Sequence, residues 1–170
     1  ERLVREVWAN VQKPALGGII PPVVPGHSPE IGPRFDPTLA QDRLKQAGFN
    51  SGEDLPPLIL VALADSGTMP QYLQDSWVRH LGVQVLLIEN LSAEEIAAQI
   101  NQGKAHLALD GWEADYPDPD DILRVLFHSA SPINYFGWQS HQFDRWVEQA
   151  ANLTDQRERL RLYHQADRLL

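Results

Sequence analysis

The sequence predicts an α/β fold: a parallel β-α-β-α-β core followed by additional helices. Three observations predict it. Leu58–Leu63 and Val83–Ile88 are short runs dominated by apolar residues, the pattern of strands inside a parallel sheet. Each is followed by a segment of helical periodicity that opens on a capping signal and stops at a glycine. A third short run, Ala105–Asp110, closes the alternation. Strand, helix, strand, helix and strand at this spacing imply parallel pairing with right-handed crossovers.

The elements follow in chain order. Leu3, Val4, Val7, Trp8 and Val11 are spaced like one helix face. Residues 14–37 hold seven of the 13 prolines, which makes this an irregular connection. Ile19, Ile20, Val23 and Val24 make it too apolar for a flexible linker, so it is expected to lie against a core. Asp36 as N-cap and Pro37 at the first helical position open a helix with Leu39, Ala40, Leu44 and Ala47 on its apolar face and Gly48 as its stop. After strand one, Thr68 and Gln71 have the spacing of a capping box for a helix running to about Leu81, with Tyr72, Leu73 and Trp77 inward and Gly82 as its end. Ser92 and Glu95 repeat that signature after strand two, and Gly103 ends the helix carrying Ile96, Ala97 and Ile100. The remainder is helical: about 118–128, then Phe143, Trp146, Val147 and Ala150, then Leu160, Tyr163, Ala166 and Leu170.

With 170 residues, 43% hydrophobic and 22% charged, the chain is long enough to bury roughly 70% of its unfolded surface without disulfides or metal. It has no cysteine, which excludes thiol catalysis, iron–sulfur clusters and cysteine zinc sites. A net charge of -9 argues against duplex nucleic acid and anionic membrane surfaces as partners. No apolar run reaches the length of a membrane helix and no signal peptide is visible; both ends read as mid-helix, so any targeting segment would lie outside the sequence.

Ligands in open parallel sheets sit beyond the carboxyl ends of the strands. Three loops occupy that edge: Asp65–Thr68, Glu89–Asn90 and Asp110–Asp121. The first opens a helix whose free N–H groups suit an anion. The third is the most unusual segment of the chain. It carries six of the 23 acidic residues, with Trp112 and Tyr116 between them and no basic residue. Carboxylates and aromatic rings together suit a cationic or amphipathic small ligand, through charge-assisted hydrogen bonds and cation–π contact. The structural alternative is that Asp118 caps a helix with Pro119 at its first position, and that Asp120 and Asp121 favour the positive helix N-terminus. Asp115 and Trp112 have no such local role. The six histidines show no metal-binding pair, and no nucleophile elbow, phosphate loop or dinucleotide fingerprint occurs. Glu113 and Asp115 as paired carboxylates leave a hydrolase open, although their spacing in a loop predicts no geometry.

The segment Trp112-Glu113-Ala114-Asp115-Tyr116-Pro117-Asp118-Pro119-Asp120 resembles the motif of family 5 extracellular solute-binding proteins of ABC importers, the oligopeptide, dipeptide and nickel class. The resemblance continues through Leu123, Leu126-Phe127, Ser129, Asn134, Gly137, Phe143-Asp144, Arg159-Leu160, Leu162-Tyr163, Ala166-Asp167 and Leu169-Leu170. Upstream, Pro14-Ala15, Pro21-Pro22, Pro25-Gly26, Asp36-Pro37, Ala47-Gly48 and Leu81-Gly82-Val83 also fit. It implies a periplasmic-binding-protein-like lobe: residues 1–170 as the second lobe of a two-lobed protein whose first lobe is absent. It further implies a short peptide or other small solute held between lobes, an ABC permease as membrane partner, an extracytoplasmic location, no catalysis, no cofactor and no metal. In peptide binders of the family, the acidic residue at the position of Asp115 pairs with the ligand's α-amino group, and the aromatic at the position of Trp112 lines side-chain pockets. The ligand-binding residues are then Trp112, Glu113, Asp115, Tyr116, Ser66 and Asn134. Gln139-Ser140 and His141 depart from the family pattern, so ligand identity does not transfer. An isolated lobe, supplying half the contacts, is expected to bind weakly or undetectably. The alternative is the same lobe type serving as a ligand-sensing module in a regulatory or signalling protein.

Overall fold

The computed structural model describes residues 2–7, 16–29 and 31–170. It divides into two compact units, Glu1–Pro14 with Phe35–Gly111 and Ala15–Arg34 with Trp112–Leu170. Among the described residues, no helix is long and apolar enough to cross a membrane.

The first unit carries the sheet. Helix α1 (Arg2–Glu6) buries Val4, while Trp8 and Val11 of the same expected face lie outside the described residues. Helix α2 (Pro37–Gln46) begins as the sequence predicts: the Leu39 amide donates to Asp36 Oδ1 at 2.9 Å. Strand β1 (Leu58–Leu63), helix α3 (Met69–Leu81), strand β2 (Val85–Leu91), helix α4 (Ala93–Asn101) and strand β3 (Leu107–Leu109) complete the unit. The strand order is β2-β1-β3, and both pairings are parallel. Leu60, Val61 and Ala62 of the central strand are buried, as a strand covered on both faces requires. Leu60, Val83 and Val85 form a core that Trp77, Leu81, Leu107 and Leu109 pack against.

Two strands differ from expectation in their bounds. The third strand is shorter than Ala105–Asp110. The Ile59 amide, which would otherwise continue the ladder, donates to His106 Nδ1 at 3.0 Å, so an imidazole replaces a strand carbonyl there. The second strand begins at Val85 instead of Val83 and runs past Ile88 to Leu91, so Glu89 and Asn90 belong to it rather than to a loop. Its register shifts opposite Val61–Leu63, and Asn90 adopts a left-handed φ of 61° before Leu91 pairs with Leu63. The Ser92 capping box forms, with Glu95 N donating to Ser92 Oγ and Ser92 N to Glu95 Oε2. The expected Thr68 box does not. Thr68 has near-helical rather than extended backbone angles and makes no side-chain cap, and the Gln71 amide donates to the Glu89 carboxylate instead.

The second unit is a helical assembly: α5 (Pro119–Phe127), α6 (His141–Asn152) and α7 (Gln156–Asp167). Their core unites Ile122, Leu123, Phe143, Val147, Ala150, Leu162, Tyr163 and Ala166. The proline-rich segment adds Ile20 and Val24 to the same core, while Val23 and Ile19 face out. Asp167 anchors it: the Ile19 amide donates to Asp167 Oδ1 at 2.8 Å, and Ser28 Oγ lies 2.5 Å from His164 Nδ1. Gly18 is required by this approach, because a Cβ there would fall on the Asp167 carboxylate. The chain's final residues are not helical, since α7 ends at Asp167 and Leu169-Leu170 lie beyond it.

The α5 N-terminus is tied to α7 by ion pairs. Arg159 donates twice to Asp118, at 2.7 and 2.8 Å. Arg124 donates twice to Asp120, at 2.6 and 2.7 Å, and the Tyr163 hydroxyl adds a bond to the same carboxylate at 2.9 Å. Burial alone raises the affinity of both carboxylates for protons, but the Arg159 bonds on Asp118 and the Arg124 and Tyr163 bonds on Asp120 outweigh it and hold both below the ordinary carboxylate range. The Tyr163 hydroxyl is pushed well above its ordinary value by burial and by the Asp120 charge. Asp167 moves the other way, raised by its burial.

Two expectations follow. Phe143 is fully buried with its ring 5.0 Å from Trp138 in an edge-on contact, so Phe143→Ala should cost about 3–5 kcal/mol in denaturant unfolding. Because the folded forms of Asp118 and Asp120 bind protons less readily than the unfolded chain, their stabilisation is complete above about pH 4 and is lost as pH falls through their lowered values. Asp120→Asn should therefore flatten the acid limb of melting temperature against pH, measured by circular dichroism.

Candidate functional site

The strand order places a topological switch point between β1 and β3. The chain leaves β1 toward β2 on one side and reaches β3 on the other, the arrangement at which open parallel sheets place their ligands. The loop after β1 turns sharply. Asp65 and Gly67 both take left-handed φ, 65° and 60°, and Ser66 Oγ donates to Leu63 O at 2.6 Å. The Ser66 hydroxyl proton is thus used to close the turn, and the first-turn amides of α3 have no side-chain cap from Thr68. After β3, Asp110 accepts from the Gly111 amide at 2.8 Å, and the chain passes into the second unit.

The acidic, aromatic loop opens that unit. Pro117 and Pro119 bracket Asp118, whose backbone is extended and whose Oδ1 accepts from the Asp120 amide at 2.9 Å, so the structural reading of Asp118 as N-cap holds. Asp120 and Asp121 lie in the first helical turn, but favouring the helix N-terminus is only part of what they do. Trp112 Nε1 donates to Asp121 Oδ2 at 2.8 Å, and the Tyr116 hydroxyl donates to Asp120 Oδ2 at 3.1 Å. The two aromatic residues are therefore fastened by their polar ends to consecutive carboxylates, while the residues as a whole stay 43% and 42% exposed. Burial, followed by the Asp120 charge, raises the Tyr116 hydroxyl above its ordinary value, so it remains a neutral donor.

Between these moorings, Glu113, Ala114 and Asp115 are exposed. Neither Glu113 nor Asp115 has a hydrogen-bond or ion-pair partner among the described residues, whereas the guanidinium groups of Arg124 and Arg159 are already committed to Asp120 and Asp118. The loop thus presents free negative charge beside two ring faces. Asn134, further along this unit, shapes its own turn: Nδ2 donates to Trp138 O at 2.7 Å and Oδ1 accepts from Trp138 N at 3.2 Å.

The structure brings Trp112, Glu113, Asp115 and Tyr116 together on one loop, sets Asn134 in a turn of the same unit, and puts Ser66 in the other unit. Sequence reasoning missed the moorings on Asp120 and Asp121, and Arg159 and Tyr163 as partners from α7. The spacing of Trp112 and Tyr116 from α5 was visible, but the pairing with α7 spans 41 and 43 residues and left no local signal. Among the described residues, no cluster of His, Asp or Glu could hold a metal ion.

Comparison with known proteins agrees with this loop's resemblance. Residues 1–134 match the family described as bacterial extracellular solute-binding proteins, family 5, middle region. The chain is 32% identical over 164 residues to di/tripeptide-binding protein 4 of Pseudomonas aeruginosa, covering 90% of this chain and 30% of that protein. It is 26% identical over 156 residues to the dipeptide-binding protein of Escherichia coli, covering 87% of this chain and 29% of the relative. The solved murein tripeptide-binding protein of Escherichia coli superposes on 99% of this chain and 34% of its own, with a TM-score of 0.85 at 23% identity, which shows a shared fold. The chain spans about a quarter to a third of the length of the curated relatives it matches. With a family match over most of its length and a parallel α/β fold shared with periplasmic binding proteins, the chain belongs to the family 5 extracellular solute-binding proteins.

Proposed function

We propose that this chain is the second lobe of a two-lobed extracytoplasmic receptor that delivers short peptides to an ABC permease. The single observation that carries the peptide reading is the moored loop: two unpartnered carboxylates, Glu113 and Asp115, displayed beside the rings of Trp112 and Tyr116. The printed names of relatives, di/tripeptide-binding and dipeptide-binding proteins, support the same class of ligand.

Asp115 is the residue we assign to the peptide's ammonium group. It is a free carboxylate, it lies at the family's acidic position, and closure of a first lobe over it would exclude water and strengthen the pairing. Trp112 and Tyr116 offer ring faces for apolar or cationic side chains. Glu113 adds a second negative charge. Ser66 and Asn134 enter the proposal as residues that fix loop shape, because the Ser66 hydroxyl proton and the Asn134 amide already have backbone partners. The loop itself carries no basic residue, and the guanidinium groups of Arg124 and Arg159 are bound to Asp120 and Asp118, so this loop recognises the amino end of a ligand and not its carboxylate.

Calorimetric titration of the complete receptor with matched peptides tests the assignment. Asp115→Ala should weaken a peptide with a free amino terminus by about 2–5 kcal/mol, the range for losing one partner of a buried charge pair. The N-acetylated peptide should bind the unmodified receptor poorly and lose little further affinity in the variant. Equal binding of free and acetylated peptides would reject the role of Asp115.

A further inference from the structure

Trp112 and Tyr116 each carry one polar group, and in both residues that group is turned toward α5 instead of outward. Asp121, which receives the indole, is 1% exposed. A solvent-exposed aspartate in the first helical turn would satisfy the helix N-terminus equally well. Burying the carboxylate is costly without a donor, and the Trp112 indole N–H, nine residues upstream, is that donor. The bond therefore does more than serve the helix: it sets the direction of the Trp112 ring.

We propose that Asp121 is a positioning residue for ligand binding, holding the Trp112 indole so that its ring face is presented before a ligand arrives. The proposal rests on the reading of this loop as the peptide site. Asp120 does the same for Tyr116, and Asp120 is in turn fixed by Arg124 and Tyr163. The loop from Trp112 to Tyr116 is held at both ends, and Glu113 to Asp115 are displayed between fixed points. An aromatic side chain oriented in advance does not have to be ordered during binding, and this ordering is among the principal costs of association.

The test compares Asp121→Asn, which keeps an oxygen acceptor, with Asp121→Leu, which keeps similar bulk and removes it. Both are made in the complete receptor with ¹⁵N-labelled tryptophan, and Trp112→Phe identifies the Trp112 indole resonance. The wild-type indole N–H should exchange with water about tenfold or more slowly than a free indole, as expected for a bonded donor. Asp121→Leu should abolish that protection and move the resonance toward the free position, leaving the other indole signals in place, and Asp121→Asn should restore most of it. With trialanine as probe, Asp121→Leu should weaken binding about tenfold in the wild-type background and have no further effect in a Trp112→Phe background.

Fast exchange of the wild-type Trp112 indole would overturn the proposal without any variant. So would an indole resonance indifferent to Asp121→Leu, or additive losses in the double variant. If trialanine fails to bind the wild-type receptor, the peptide reading falls while the indole measurements still decide whether Asp121 holds Trp112.

Discussion

The N-terminus of α5 gathers three carboxylates within four residues, and the second unit's organisation depends on how each is neutralised. Asp118, Asp120 and Asp121 would repel one another in an apolar setting. Arg159 and Arg124, the Tyr163 hydroxyl and the Trp112 indole convert that repulsion into a set of fixed joints. Asp118 joins the helix start to α7, Asp120 joins α7 to Tyr116, and Asp121 joins the helix to Trp112. Because these bonds are charge-assisted and partly buried, each is stronger and more directional than a surface contact. The same joints therefore pack the helices and set the face of the candidate site.

The charge of the loop is unevenly used as a result. Of its six acidic residues, Asp118, Asp120 and Asp121 are committed to structure, and Asp110 accepts from its neighbouring amide. Glu113 and Asp115 remain for a ligand. Composition alone presents the cluster as one acidic patch. The structure separates it into an inner group that balances cations within the protein and an outer pair left unbalanced, and only the outer pair gives the loop a preference for positive charge.

Much of the fold was legible because its signals are local. The Asp36-Pro37 start, the Ser92–Glu95 box, the apolar run of β1 and the glycine stops involve residues within a few positions of one another. The readings that failed involve partners distant in sequence or in an adjacent element. Gln71 left the expected cap because Glu89 of the neighbouring strand attracted it. The β3 start moved because His106 supplied an imidazole to β1. Within the candidate loop, residue types and the family-like motif pointed to Trp112 and Asp115 from sequence. The fastening of Trp112 could not be read that way, since any of several nearby carboxylates satisfies the spacing and only packing selects Asp121.

The proline-rich segment gives one consequence for how the protein is made. Ile20 and Val24 belong to a core whose other members come from Ile122 to Ala166, and the Ile19 amide is received by Asp167. During synthesis these early apolar residues must wait for roughly 100 to 145 more to emerge before the core is complete, which at about 5–20 residues per second is on the order of 5–30 s. The first unit's segment 35–111 is finished well before then and can form its sheet without them. For that interval Ile20 and Val24 are orphans on the nascent chain, in a stretch whose prolines disfavour strand pairing. The same prolines that shape this segment in the finished fold leave it, while it waits, without the continuous backbone donors a strand needs.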